Sequence, residues 1–211
     1  MILIGMFDSP FVRRVAISMK LLELKFEHKN WSVGKNQMQI RKYNPLGRVP
    51  TLVLDDGEVL TESSAILDYL DDRVGANAAL LPVTGALRRR ALLLMALATG
   101  AAEKAGQQVY EYVFRPAEKR HEPWAQRLRE QMHGALAMLD RAAAAMEEGD
   151  WLIDEGLTQA DISVACAFTY IDEAVKLDPK LYPALRKHVA RCEKLPVFKA
   201  LYVPFDAPVM S

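Results

Sequence analysis

Three short segments in the first third of the chain place hydroxyl, carboxylate or exposed-backbone chemistry where an element begins. Ser9-Pro10 falls between an apolar run, Ile2 to Gly5, and an amphipathic stretch from Phe11 to Leu24. Serine as N-cap with proline at the first helical position is ordinary capping, since the N–H that proline lacks would go unused there. The same position also offers chemistry. A helix N-terminus carries roughly half a positive charge and unpaired amides, so it stabilises an anion, and a serine hydroxyl can add a hydrogen bond to a thiolate. Taken alone, the dipeptide leaves capping and anion activation both open.

Glu62-Ser63 opens a second amphipathic run. Acidic and hydroxyl residues suit a first helical turn. They also suit the zwitterionic head of an amino acid, with Ser63 and its amide holding the carboxylate and Glu62 attracting the ammonium group. Arg48-Val49-Pro50-Thr51 leads into a strand. Only about 5–6% of X–Pro bonds are cis, but a cis bond here would leave the N–H and C=O of Val49 free to pair with a peptide as an added strand does.

The elements that must position these residues follow from periodicity. Ile2–Gly5 reads as a strand, and Val12, Val15, Ala16, Met19 and Leu22 give Phe11–Leu24 one apolar helical face. A strand over 26–31 and a polar helix over 35–43 come next. Asn44-Pro45-Leu46-Gly47 is a turn. Residues 50–54 and 58–60 flank Asp56-Gly57, a favoured two-residue hairpin signal, and 62–74 is a helix stopped by Gly75. Residues 1–76 thus form a small α/β unit and 77–85, with Pro82 and Gly85, a linker. Residues 86–211 read as all-helical, with long runs over 86–114 and 124–148 separated by a break between Pro116 and Pro123, and shorter runs over 158–175 and 183–194. Thr158 with Asp161 fits a capping box, which accounts for both residues structurally.

Composition narrows the function classes. Lys plus Arg and Asp plus Glu number 27 each, evenly balanced on either side of residue 80, so neither half suits a polyanion. Arg88-Arg89-Arg90 lacks aromatic interleaving and reads as a solvated or partner-facing helix side; no nucleic-acid partner is expected. The longest apolar run, Ala91–Ala98, is far short of the ~20 residues that span a bilayer, and the N-terminus lacks export features, so no membrane association is expected. Two distant cysteines, Cys166 and Cys192, fit a reducing cytoplasm. His28, His121, His133 and His188 lack metal-ligand spacing, and no metal is expected.

In order, Ser9-Pro10-Phe11-Val12-Arg13, Asn44 through Leu52, Leu60 through Ile66, and residues 150–164 resemble the cytosolic glutathione transferases, most closely bacterial serine-type members. The resemblance implies a thioredoxin-like N-terminal domain, a mixed four-stranded sheet with helices, followed by an all-α helical-bundle domain. It implies that Ser9 contacts the sulfur of glutathione, the co-substrate, and activates it. It further implies that Val49 and a cis Pro50 hold the cysteinyl part, and that Glu62 and Ser63 bind the γ-glutamyl end. Phe11 and Arg48 complete the expected glutathione site. Arg13 and Arg48 both match recurring basic positions, and for both a solvated surface role is equally open. Phe7, Tyr110, Val113 and Phe114 are the expected electrophile pocket, with Tyr112 in the same cluster. A cytoplasmic homodimer active in detoxification is implied, its contacts on the helices near 63–74, 86–114 and 124–148. Isomerase, dehalogenase or peroxidase chemistry, or ligand binding without turnover, are the alternatives. Phe7-Asp8-Ser9-Pro10 departs from the longer Ser-Ser-Cys turn of the zeta-type isomerases.

The energetics of thiol activation are modest. Lowering a thiol pKa from about 8.5 by about two requires ~2.7 kcal/mol of preference for the anion. One charge-assisted hydrogen bond, roughly 1.5–3 kcal/mol, with a helix terminus worth about 0.3–1, suffices without a separate base.

Overall fold

In the computed structural model, residues 1–147, 149–153 and 156–207 are described. Strand β1 (Ile2–Ile4) runs into helix α1 (Pro10–Leu21), then β2 (Glu27–Lys29), a single-turn α2 (Gln37–Ile40), β3 (Thr51–Val53), β4 (Val59–Thr61) and α3 (Ser63–Val74). The sheet order is β2-β1-β3-β4, with β1 parallel to β2 and antiparallel to β3, and β3 antiparallel to β4. This is the mixed four-stranded, thioredoxin-like arrangement. Leu3 and Ile4 of β1 and Leu52 of β3 are completely buried.

Several boundaries differ from the periodicity. The first helix stops at Leu21 rather than Leu24, because Glu23 takes a left-handed φ of 55° and the amides of Glu23 and Leu24 turn back to the carbonyls of Lys20 and Met19. That is the Schellman closure, built here without glycine. The β3–β4 hairpin is longer than two residues. Gly57 N–H bonds Leu54 O, Gly57 has φ 91°, and Asp56 Oδ1 accepts from Glu58 N–H. Asp55-Asp56 are therefore the corners of a turn, and Gly57 is the left-handed residue that follows it.

After α3 the chain has no regular element until α4 (Gly85–Val113), which is followed by a short 3-10 turn at Ala117–Lys119, then α5 (Glu122–Ala144), α6 (Gln159–Val175), α7 (Pro183–Glu193) and α8 (Pro196–Ala200). Pro123 lies inside the first turn of α5, not in the break before it, as fits a residue with no N–H to give. The 3-10 turn and α8 are too short for periodicity to reveal. The segment before α4 is held down by Asp71 of α3, whose two carboxylate oxygens accept from the amides of Leu80 and Leu81.

Helix α6 is the axis of the helical part. Residues Gln159 through Phe168 are all buried, because α1, α4 and α7 pack around it. On α4, Ala91, Ala98, Ala101, Ala102 and Ala105 form the small-residue face that lets α5 and α6 approach closely. The capping box forms as expected: Thr158 Oγ1 accepts from Ala160 N–H, and Asp161 accepts from both Thr158 N–H and its hydroxyl. Asp161 also accepts from Leu152 N–H, so this cap pins the loop before α6 as well.

Arg13 is not a surface residue. It is 3% exposed, pairs with Glu193 at the end of α7, and donates to the carbonyls of Phe198 and Leu201, which ties α1 to the C-terminal helices.

Candidate active site

The turn from β1 into α1 is shaped by Gly5, with φ 134°. A Cβ there would lie 2.5 Å from Val12 Cγ2 and 2.8 Å from Val49 Cβ. Glycine is what lets the loop before β3 lie directly against the turn that carries Ser9. Ser9 is the N-cap of α1, its carbonyl accepting from Arg13 N–H at 2.9 Å, with Pro10 at the first helical position. Its hydroxyl makes no capping hydrogen bond. The backbone performs the cap, and the half-buried side chain remains available beside the positive end of a twelve-residue helix.

The Val49–Pro50 bond is cis. Asn44, 2% exposed, braces this loop: its Nδ2 donates to Arg48 O at 2.9 Å and Thr51 Oγ1 at 3.3 Å, and its Oδ1 accepts from Leu46 N–H. Among the described residues neither the N–H nor the C=O of Val49 has a hydrogen-bond partner. An extended peptide laid along this edge would find both groups free.

At the start of α3, Glu62 adopts φ 71° and ψ 121°, outside the basins an L-residue ordinarily occupies. Backbone held in such regions costs of order 1–3 kcal/mol and concentrates at functional sites. The exposed Glu62 bends its carboxylate onto Ser63 N–H at 3.0 Å, showing that this amide accommodates a carboxylate oxygen. Ser63 itself is only 1% exposed, and its Oγ accepts from Arg14 Nη2 at 2.7 Å. Periodicity placed no role on Arg14. The signal was a pair of adjacent arginines flanked by Val12 and Val15 near the start of α1, where a charge is buried only with a purpose.

The aromatic cluster at the end of α4 divides. Tyr110 and Phe114 pair with ring centroids 5.1 Å apart. Tyr112 turns away to a polar surface, where Arg120 lies over its ring and Glu122 and Arg129 meet its hydroxyl. Val113 is 37% exposed. Burial raises the Tyr110 hydroxyl pKa, with Arg48 pulling it back and Asp8 pushing it further; burial raises Tyr170 too, helped by Tyr110 and Asp8. Arg48 and Asp8 thus lie near enough to Tyr110, and Tyr110 and Asp8 to Tyr170, for their charges to act on these hydroxyls. Periodicity did not single out Tyr170. Gly106 admits its hydroxyl, which a Cβ would meet at 3.3 Å, and Phe205 packs edge-on against its ring at 5.2 Å. Phe7 stands apart from this group, stacked on His28 at 3.9 Å in a groove with Lys20, Phe26 and α8. Phe11 is half-buried against the core. No cluster of three or more metal-ligating side chains forms among the described residues.

Residues 3–78 match the family model for the glutathione S-transferase N-terminal domain, and residues 107–196 match that for its C-terminal domain. YibF of Escherichia coli K12, known as an uncharacterized GST-like protein, is 30% identical over 170 residues, 81% of each chain. The chain belongs to the glutathione S-transferase family. Among solved structures of the family, a Methylobacterium radiotolerans glutathione S-transferase in complex with glutathione sulfonate superimposes with a TM-score of 0.90 at 26% identity, over 100% of this chain and 97% of that one. A Pseudomonas fluorescens Pf-5 glutathione transferase family member with bound glutathione gives 0.81 at 31% identity, over 97% and 99%. This member of the family thus shares its whole architecture with proteins that hold glutathione or its sulfonate.

Proposed function

We propose that this glutathione S-transferase joins the thiolate of glutathione to small apolar electrophiles, and that Ser9 activates the thiol. The observation carrying this reading is that the Ser9 hydroxyl sits at the N-terminus of α1 without a capping bond, and so can donate to a sulfur anion. Val49 and Pro50 hold the cysteinyl segment, Glu62 and Ser63 take the γ-glutamyl end, and Phe11 and Arg48 flank the tripeptide. Residues 1–76 form the glutathione unit, 77–85 the linker, and 86–211 the unit supplying the electrophile pocket. Within that pocket Tyr110, Val113 and Phe114 are supported by their partial exposure, whereas Phe7, half-buried on His28 in the groove beside α8, stands outside it.

The chain acts in a reducing cytoplasm, consistent with the free, buried Cys166 and Cys192. It pairs as a homodimer through α3 and α4, where Leu92 and Leu93 are 44% and 52% exposed beside the Arg88–Asp68 pair.

The test is a titration of wild type and Ser9→Ala with glutathione, following thiolate absorbance, beside a conjugation assay with an aryl halide. Wild type should lower the thiol pKa by about two, and the variant should lose that shift together with conjugation. Glutathione bound without a shifted thiol would instead mark a binding protein without this chemistry.

A further inference from the structure

A groove of about 620 Å³ lies between the end of α1, the β2 edge of the sheet and α8. Spaces of roughly 300–1,000 Å³ suit small organic ligands. Its walls are largely aromatic and apolar. The Phe7 and His28 rings lie nearly parallel, 7° apart in plane and 3.9 Å between centroids. Phe26, two positions before His28 and so on the same strand face, carries the Lys20 ammonium 5.3 Å from its ring centroid. Ala200 and Leu201, at the end of α8, supply another wall.

The polar groups in this groove share one sign. Lys20 is exposed and makes no ion pair among the described residues. His28 Nε2 lies 2.7 Å from Gly5 O, and because a carbonyl has no proton to give, Nε2 must carry the hydrogen. Its Nδ1 has no partner among the described residues and is not buried, so it is left to a ligand. No carboxylate lines the groove, since Glu27, between Phe26 and His28, falls on the opposite strand face.

The groove is also set apart from the glutathione motifs. Strand β2 lies on one side of β1 and β3 on the other. Gly5 marks the division, with His28 bonded to its carbonyl and Val49 pressed where a Cβ would stand.

We propose that this groove is a second ligand site, separate from the glutathione and electrophile positions, and that it takes flat aromatic carboxylates: the ring extends the Phe7–His28 stack against Phe26 and Leu201, and the carboxylate is held by the Lys20 ammonium beside His28. Offset stacking sets the shape of the ligand, and the unpaired cation sets its charge. A ring without the acid would leave Lys20 unused, and an acid without the ring would leave the aromatic wall in water.

The test titrates 2-naphthoate, followed by its own fluorescence, and neutral 2-naphthamide into wild type, Lys20→Met, Ala200→Trp and Phe26→Leu. Wild type should bind the naphthoate about fivefold or more tighter than the amide. Lys20→Met should erase that preference and leave amide binding within about twofold. Ala200→Trp, which places an indole in the groove from an exposed position, should weaken both probes by about tenfold or more. If that variant does not fold, Phe26→Leu decides, with both probes weakened by about threefold. S-hexylglutathione should displace neither. No saturable binding by wild type, a preference unchanged in Lys20→Met, or undiminished binding by Ala200→Trp and Phe26→Leu overturns the proposal. Displacement by S-hexylglutathione puts the probes in the electrophile pocket and overturns it too, whereas S-hexylglutathione that fails to bind counts against the glutathione reading and leaves the groove to be decided by the variants. A wild-type dimer that Ala200→Trp dissociates in gel filtration makes the groove a contact between copies and likewise overturns it.

Discussion

Arg13 and Glu193, 180 residues apart in the chain, meet through two parallel hydrogen bonds of 2.7 and 2.6 Å. Thr169 of α6 donates to the same carboxylate at 2.7 Å, so one ion pair joins α1, α6 and α7. Arg13→Ala should therefore cost about 3–5 kcal/mol, reduced somewhat because Glu193 keeps 23% of its side chain exposed. Arg13→Met with Glu193→Leu should recover part of that loss. Urea unfolding of the two variants measures it, and equal losses in the single and the double variant would refute the argument.

Ser9→Ala offers an unusual contrast between stability and chemistry. Removing a serine that caps a helix costs about 0.5–2 kcal/mol. Here the hydroxyl makes no capping bond, so the melting free energy should change by less than about 0.5 kcal/mol while thiolate formation collapses. A large drop in melting temperature would show that the hydroxyl caps after all.

Gly5→Ala should fail on two counts, a φ of 134° and a Cβ pressed to 2.5 Å from Val12. A loss of more than about 2 kcal/mol is expected. The second contact, with Val49, should also displace the Val49–Pro50 loop, so KM for glutathione should rise even where the variant remains folded if that loop binds it as proposed.

Glu23 occupies a left-handed position that closes α1 and is exposed to solvent. Glycine pays no Cβ penalty there, and Glu23→Gly should stabilise by about 0.5–1 kcal/mol after its extra unfolded-state entropy is counted. Differential scanning calorimetry checks the sign.

Burial lifts the Asp8 carboxyl above its ordinary 3.8, the amides of Asp206 and Ser9 pull it back, and the Asp206 charge adds to the rise. The folded chain therefore holds this proton more tightly than the unfolded chain does. The stability Asp8 contributes is complete below about pH 3.8 and is lost as pH rises through its folded value. Asp8→Asn should gain on wild type between pH 4 and pH 7, read as a growing difference in urea midpoint. A constant difference would mean the Asp8 pKa is the same in both states.

Much of this fold is local. The strand-turn-helix opening, the Gly75 stop and the Thr158–Asp161 cap each depend on residues within a few positions of one another, where turn chemistry and 3.6-residue periodicity act directly. The order of Ser9, Val49-Pro50 and Glu62-Ser63 was legible for the same reason, since each motif begins an element.

Other features depended on distant partners. Periodicity extended α1 to Leu24 because Leu22 and Leu24 are apolar, whereas a single left-handed residue ended it earlier. Arg13 and Arg14 are adjacent in the chain and alike in chemistry. Only packing sent one to Glu193 and the other to Ser63. Tyr170 packs its hydroxyl against α4 because Gly106, on that other helix, leaves room for it. The sequence by itself determined the β1–α1 turn, the Gly75 stop and the start of α6, because their energies are local. The tertiary structure decided which buried charges are neutralised and which remain available, because a charge takes its meaning from groups the chain brings back from far away.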